Sequence, residues 1–179
     1  MTANFHIPLA ADRQAVAVDL QGALVDLLDL TLIGKHLHWN VEGPHFRSLH
    51  HELDEQVDAW RELSDDVAER AVTIGASPDG QAETIAGATQ LEPLPGGHLT
   101  DQQVLRAIGD RVAAAARRAR DRIDRVDEID PITGDLLIHV AATLEKQLWM
   151  IRAQTGGSER AAADPVGNRM DDTNGGGGS

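Results

Sequence analysis

Apolar residues recur at steps of three and four over four long stretches, the spacing that keeps one face of an α-helix dry. From about Asp12 to Val41 the stripe is Leu20, Leu24, Leu27, Thr31 and Gly34, and Gly43-Pro44 stops it. A second stripe predicts a helix from about Phe46 to Ile74, with Gly75 as its C-terminal cap. It consists of Leu49, Leu53, Val57, Trp60, Ser64, Val67, Ala71 and Ile74. The third helix opens on a capping box, Thr100 to Gln103, and directs Leu105, Ile108, Val112, Ala115, Ala119, Ile123 and Val126 inward. Asp130-Pro131 marks the start of the fourth as cap and first residue, and Leu137, Val140, Leu144, Leu148 and Ile151 carry it towards Gly156.

The connections decide how these helices pack. Short links inside each pair imply two antiparallel hairpins. The stretch Ala76–Leu99 holds Pro78, Gly80, Pro93, Pro95, Gly96 and Gly97, which makes it a crossover with room for a short helix over Gln81–Thr89. Strand signals are almost absent. The expectation is an all-α, ferritin-like four-helix bundle over residues 12–155, with the long crossover between the second and third helices. Residues 1–11 form an N-terminal extension, and 156–179 are small, polar and patternless, the composition of a disordered tail.

Composition narrows the chemistry. A chain of 179 residues is long enough for one domain with a real core. It has no cysteine, which excludes disulfides, thiolate metal sites and cysteine nucleophiles. The formal charge of −13 suits the attraction of cations and opposes phosphate backbones. The start MTANFHIPLAADR lacks the basic, then apolar, pattern of a signal peptide. The most apolar run, Leu20–Gly34, is interrupted by Asp26 and Asp29, so no membrane span is expected. A soluble cytoplasmic protein is the default.

Five of the eight histidines lie between His36 and Gly75. On the second helix His50, Asp54, Arg61, Asp65 and Glu69 fall within an arc of about 100°, beside the apolar stripe. His50 with Asp54, and Asp65 with Glu69, are pairs one turn apart that could each share a metal ion. The midpoints of the two pairs are roughly 22 Å apart along one helix, too far for a single site. The same helix of a second subunit, laid antiparallel about a two-fold axis near Ala59 and Trp60, brings His50 and Asp54 of one chain against Asp65 and Glu69 of the other. His38, on the inward line of the first helix, could complete each site. Spacing alone leaves the plainer reading open as well: a hydrogen-bonded core histidine and solvated acidic pairs. Glu42-Gly43-Pro44-His45 has the letters of a Glu-x-x-His ligand pair, but Gly-Pro breaks the helix that would aim both residues together.

The run His38-Trp39-Asn40, then Gly43, Phe46, Leu49-His50, Leu53-Asp54, Asp65, Ala68-Glu69-Arg70 and Gly75 resembles the Dps miniature ferritins, DNA-binding proteins from starved cells. The likeness extends to Asp135-Leu136-Leu137, Leu144-Glu145-Lys146 and Trp149. It implies a homododecameric shell, built from two-fold dimers, that binds Fe(II), oxidises it preferentially with hydrogen peroxide and stores ferric mineral. It implies as ferroxidase ligands His38, His50 and Asp54 of one subunit with Asp65 and Glu69 of its two-fold mate, and Trp39 as a nearby trap for stray oxidising equivalents. It also implies acidic pores near the start of the last helix, for which Asp130 and Asp135 are the candidates, with Asp127 and Glu128 close by. Mixed imidazole and carboxylate ligands suit Zn(II) and Mn(II) equally, so iron comes from the resemblance.

Direct DNA binding is where the chain departs from the family pattern. Members that bind DNA usually do so through lysine-rich tails, and here Lys35 and Lys146 are the only lysines. Beyond Gly156, Arg160 and Arg169 face Glu159, Asp164, Asp171 and Asp172. The third helix carries seven arginines against five aspartates, a mixture read as a solvated or subunit-contacting face. The alternative to a ferroxidase is a nucleoid-associated shell with no catalytic centre.

Overall fold

A computed structural model of the protein describes residues 13–155, and the expectations for residues 1–11 and for the tail lie outside them. In chain order the elements are α1 (Arg13–Asn40), β1 (Val41–Glu42), α2 (Phe46–Thr73), α3 (Ala82–Ala88), β2 (Leu99–Thr100), α4 (Asp101–Val126) and α5 (Pro131–Gln154). The four long helices stand where the apolar spacing puts them, and α3 is the short helix of the crossover. α1 packs chiefly on α2 and α4 on α5, with α1 against α4 closing the bundle.

The predicted stripes form one core. Leu20, Leu24 and Leu27 of α1 meet Leu53, Val57 and Trp60 of α2, Ile108 and Val112 of α4, and Leu137 and Leu144 of α5. Ile123 and Leu148 are the exceptions, packed against its edge and only partly buried. Gly34 lets α1 and α2 close together, since a Cβ there would lie 2.6 Å from Val57 Cγ2 and 2.7 Å from Trp60 Cζ3. Trp60 is fully buried. Its indole N–H donates to Gln147 Oε1 on α5 at 2.8 Å, which satisfies a donor that would otherwise be stranded in the core.

The helix ends obey local chemistry. The Thr100–Gln103 capping box opens α4, and paired bonds from Gly75 N–H to Val72 and Ala76 N–H to Ala71 close α2. Two features were not foreseen. One is a parallel ladder of two residues per strand, Val41 with Leu99 and Glu42 with Thr100, which ties the α1–α2 turn to the end of the crossover. So short a strand has no room for alternation.

The other is the fate of the α4 arginines: Arg106, Arg117, Arg120 and Arg125 are exposed as a solvated face requires, but Arg111 and Arg122 are buried. Arg118 grips Asp26 with two nitrogens, Arg122 bonds the same carboxylate at 2.8 Å, and Asp26 and Arg122 are both buried. Arg125 pairs with Asp19, Arg120 with Glu145, and Arg111 donates to the carbonyls of Glu92, Pro93 and Ala107. Five of the seven cations are therefore engaged inside the protomer. Among the described residues no helix is long and apolar enough to cross a membrane.

Candidate metal centre

The C-terminal end of α1 and the N-terminal end of α2 present His38, His50 and Asp54 to one another, with a ligand-capable atom of each within 4.8 Å of the others. The arrangement is built from the backbone outward. His38 Nδ1 lies 2.9 Å from the His50 carbonyl, and His50 Nδ1 lies 3.0 Å from the His38 carbonyl. A carbonyl can only accept, so in both rings Nδ1 carries the proton and donates. Each Nε2 is left with its lone pair, the form in which imidazole binds a metal. The rings stack at a centroid distance of 3.6 Å, and Phe46 packs on His50 at 5.0 Å. His38 is only 6% exposed, so its orientation is fixed by its surroundings.

Asp54 completes the group from one turn further along α2, with Oδ1 3.2 Å from His38 Nδ1. The same oxygen accepts from Lys35 Nζ at 2.6 Å. That bond, with the charge of Lys35, holds the Asp54 carboxyl below the ordinary carboxylate range against the cost of desolvation. Lys35 was missed by the sequence reasoning. It sits three residues before His38 on the same helix face, and that spacing was a usable signal.

Asp65 and Glu69 stand at the other end of α2. Both are exposed, and neither carboxylate makes a hydrogen bond or ion pair among the described residues. Within one protomer the structure does not bring them to the histidines. Trp60, named with Ala59 as the level of a two-fold axis, is turned into the protomer's own core, which leaves the partly exposed Ala59 on that face. Trp39 follows His38 but is 68% exposed, with Lys35 Nζ 5.9 Å from its ring centroid.

The pore candidates separate. Asp130 occupies the cap position of α5, yet its side chain makes no bond to the helix's own N–H groups. It is buried, 2.6 Å from Arg70 Nη2 and bonded to the Thr133 hydroxyl, while Arg70 Nε donates to Thr133 Oγ1. Burial works against its ionisation, but Thr133 and Arg70 outweigh this and hold the carboxyl below its ordinary range. Within the protomer the charge of Asp130, expected at a pore, is therefore taken up by Arg70. Asp135 is exposed and borders, with Asp66, Glu69 and His139, an open depression of about 460 Å³. Of the remaining histidines, His45 lies in the turn and pairs with Asp101, and His51 is exposed.

The chain matches the ferritin-like domain family over residues 19–175. It is 39% identical to DNA protection during starvation protein 2 of Deinococcus radiodurans over 75% of this chain, a match that spans 56% of that longer relative. It is 36% identical to the DNA protection during starvation protein of Mycolicibacterium smegmatis, over 84% of this chain and 83% of the relative. The crystal structure of Dps92 from Deinococcus radiodurans superposes with a TM-score of 0.80 at 36% identity, covering 83% of this chain and 90% of that one. The bundle, the crossover and the likeness in sequence agree, and the chain belongs to the Dps family of ferritin-like proteins.

Proposed function

We propose that the protein is a ferroxidase and iron-storage protein whose substrate is Fe(II) and whose catalytic site is shared between two subunits. His38, His50 and Asp54 of one subunit receive Fe(II), and Asp65 and Glu69 of the partner subunit complete the coordination. Hydrogen peroxide accepts one electron from each of two Fe(II) ions as its O–O bond breaks. Hydrolysis of the Fe(III) product then gives ferric oxyhydroxide mineral and releases protons.

The observation that carries this reading is the state of the two histidines. Both hold their Nδ1 protons in hydrogen bonds to carbonyls and keep Nε2 free, beside a carboxylate. A packing role for these rings would not require a ligand-capable atom of each to lie within 4.8 Å of the other and of an Asp54 oxygen. Neutral imidazoles with a single carboxylate leave coordination positions open, and carboxylates from a second subunit stabilise the Fe(III) product by charge.

Within the same proposal the subunits assemble as a homododecamer in the cytoplasm and store mineral inside. Asp135 serves as the pore carboxylate, and Trp39 intercepts stray oxidising equivalents. DNA is protected by removing Fe(II) and peroxide together, without a basic arm, and tight retardation of DNA in a low-salt gel shift would contradict that part.

The test is Fe(II) oxidation by peroxide followed optically. Wild type gives soluble ferric mineral, and Asp65→Ala with Glu69→Ala slows oxidation about a hundredfold, as loss of two metal ligands should. Unchanged kinetics in the double variant would remove the site assignment.

A further inference from the structure

The two histidine ligands straddle the α1–α2 turn. His38 lies just before it and His50 just after it, and each ring bonds the other's backbone carbonyl. Their spacing therefore depends on how the turn closes α1 onto α2.

The turn is closed locally by the Phe46 N–H on the Gly43 carbonyl at 3.1 Å, but its cap side chain is engaged elsewhere. His45 occupies the N-cap position of α2 but makes no side-chain cap bond to its own helix. Its imidazole Nδ1 reaches instead to Asp101 Oδ2 on α4, at 2.8 Å across 56 residues. Giving up a local cap for a distant partner is the kind of conflict between levels that marks a constrained site. Asp101 is buried at 7% exposure, and its other oxygen accepts from the Gln102 N–H at 2.8 Å. The bond from His45 holds the Asp101 carboxyl below its ordinary range.

Gly43 fits the turn around that carboxylate. Its φ of +135° is closed to other residues, and a Cβ there would meet Asp101 Cγ at 3.2 Å and Oδ2 at 3.3 Å. The β1–β2 ladder fixes the same turn from the side, in a register that delivers Asp101 one residue after Thr100. A carboxylate at the first position of α4 is further favoured by the positive end of the helix dipole.

We infer that Asp101, through Gly43 and His45, is a positioning residue for the metal centre: it sets the separation of His38 and His50 by holding the turn between them. The inference rests on the ferroxidase reading of those histidines. Asp101 touches no metal and takes part in no electron transfer. It determines whether the two rings are held stacked before metal arrives.

The experiment is a Co(II) titration read from d–d absorption, alongside initial rates of Fe(II) oxidation against Fe(II) concentration, on the intact protein. Asp101→Ala is expected to weaken Co(II) binding and raise KM for Fe(II) by about tenfold, the low end for partners of metal ligands. Its kcat should stay within about twofold of wild type, since the ligands themselves remain. Asp101→Asn keeps an acceptor oxygen for the turn and is expected to recover most of the loss. Should Asp101→Ala fail to fold, His45→Ala is read in its place, with about a threefold loss of Co(II) affinity expected. A folded Asp101→Ala protein with wild-type Co(II) binding and KM would overturn the inference, and so would a kcat that collapses with KM unchanged. If Asp101 controls Co(II) affinity in a protein that does not oxidise Fe(II), the ferroxidase reading falls and the positioning role stands.

Discussion

At the N-terminal end of α2, His50 is stacked on His38, each ring is tied to the other's carbonyl, and Asp54 is already paired with Lys35. At the C-terminal end, Asp65 and Glu69 project into solvent without a bonding partner among the described residues. The difference follows from charge. Two neutral imidazoles can be stacked and buried in advance because their assembly concentrates no charge. Two carboxylates one turn apart repel, and holding them convergent without a cation would cost stability in every metal-free molecule. On the proposed function, one half of the site is organised during folding, and the other stays solvated until a partner subunit and a metal organise it. Metal binding and the two-fold contact are then thermodynamically linked, so each strengthens the other.

The sharpest way to break this comparison is to separate the halves onto different chains. His38→Ala with His50→Ala in one chain, and Asp65→Ala with Glu69→Ala in another, should each lower Fe(II) oxidation about a hundredfold alone. Co-assembly from an equal mixture should restore about a quarter of the wild-type rate, because half of random dimers are mixed and each mixed dimer regains one of its two sites. No recovery in verified mixed assemblies would show that the halves work within one chain or not at all.

A smaller effect separates the halves by stability. In metal-free protein, His50→Ala should cost about 1–2 kcal/mol in urea unfolding, since it removes a stacked ring and leaves the His38 carbonyl without its donor. Asp65→Ala with Glu69→Ala should leave the midpoint unchanged or raise it slightly. Equal losses at the two ends would mean that the acidic half is also built in advance.

The smallest effect concerns Lys35. Its bond depresses the Asp54 carboxyl below the ordinary value of 3.8. The contribution of that ion pair is therefore complete above about pH 4 and is lost as pH falls through the depressed value. Lys35→Met should move the acid limb of a pH–stability curve upward and tighten Co(II) binding several-fold by removing a competing cation, as a titration at fixed pH would show.

Most of the fold could be read from residue spacing, because four amphipathic helices with Gly-Pro, Asp-Pro and capping-box boundaries are locally encoded. The cluster of His50 and Asp54 with His38 could be read for the same reason, since His50 and Asp54 are one turn apart; Asp65 and Glu69 have the same spacing, and their role as the second half remains part of the proposal. Contacts set by tertiary packing could not. Asp26 meets Arg118 and Arg122 across 92 and 96 residues, Asp130 meets Arg70 across 60, and His45 meets Asp101 across 56. Each of these residues has a satisfactory local explanation, which is why Asp130 read equally well as a cap, and nothing in the local pattern points to its distant partner. Lys35 lies between the two cases, legible by spacing but overlooked beside the histidines.

The buried carboxylate shared by two guanidiniums bears on how the bundle finds its register while folding. Each hairpin can form from nearby contacts, but the two must dock across a 24-residue connection that permits sliding. A docking error of one helical turn displaces α1 from α4 by about 5.4 Å and buries Asp26 without its partners. An orphaned charge of that kind costs roughly 3–5 kcal/mol, a large share of a domain's whole stability. The aspartate thus acts as a key for alignment, because only the native docking of the two hairpins gives its buried charge both guanidiniums.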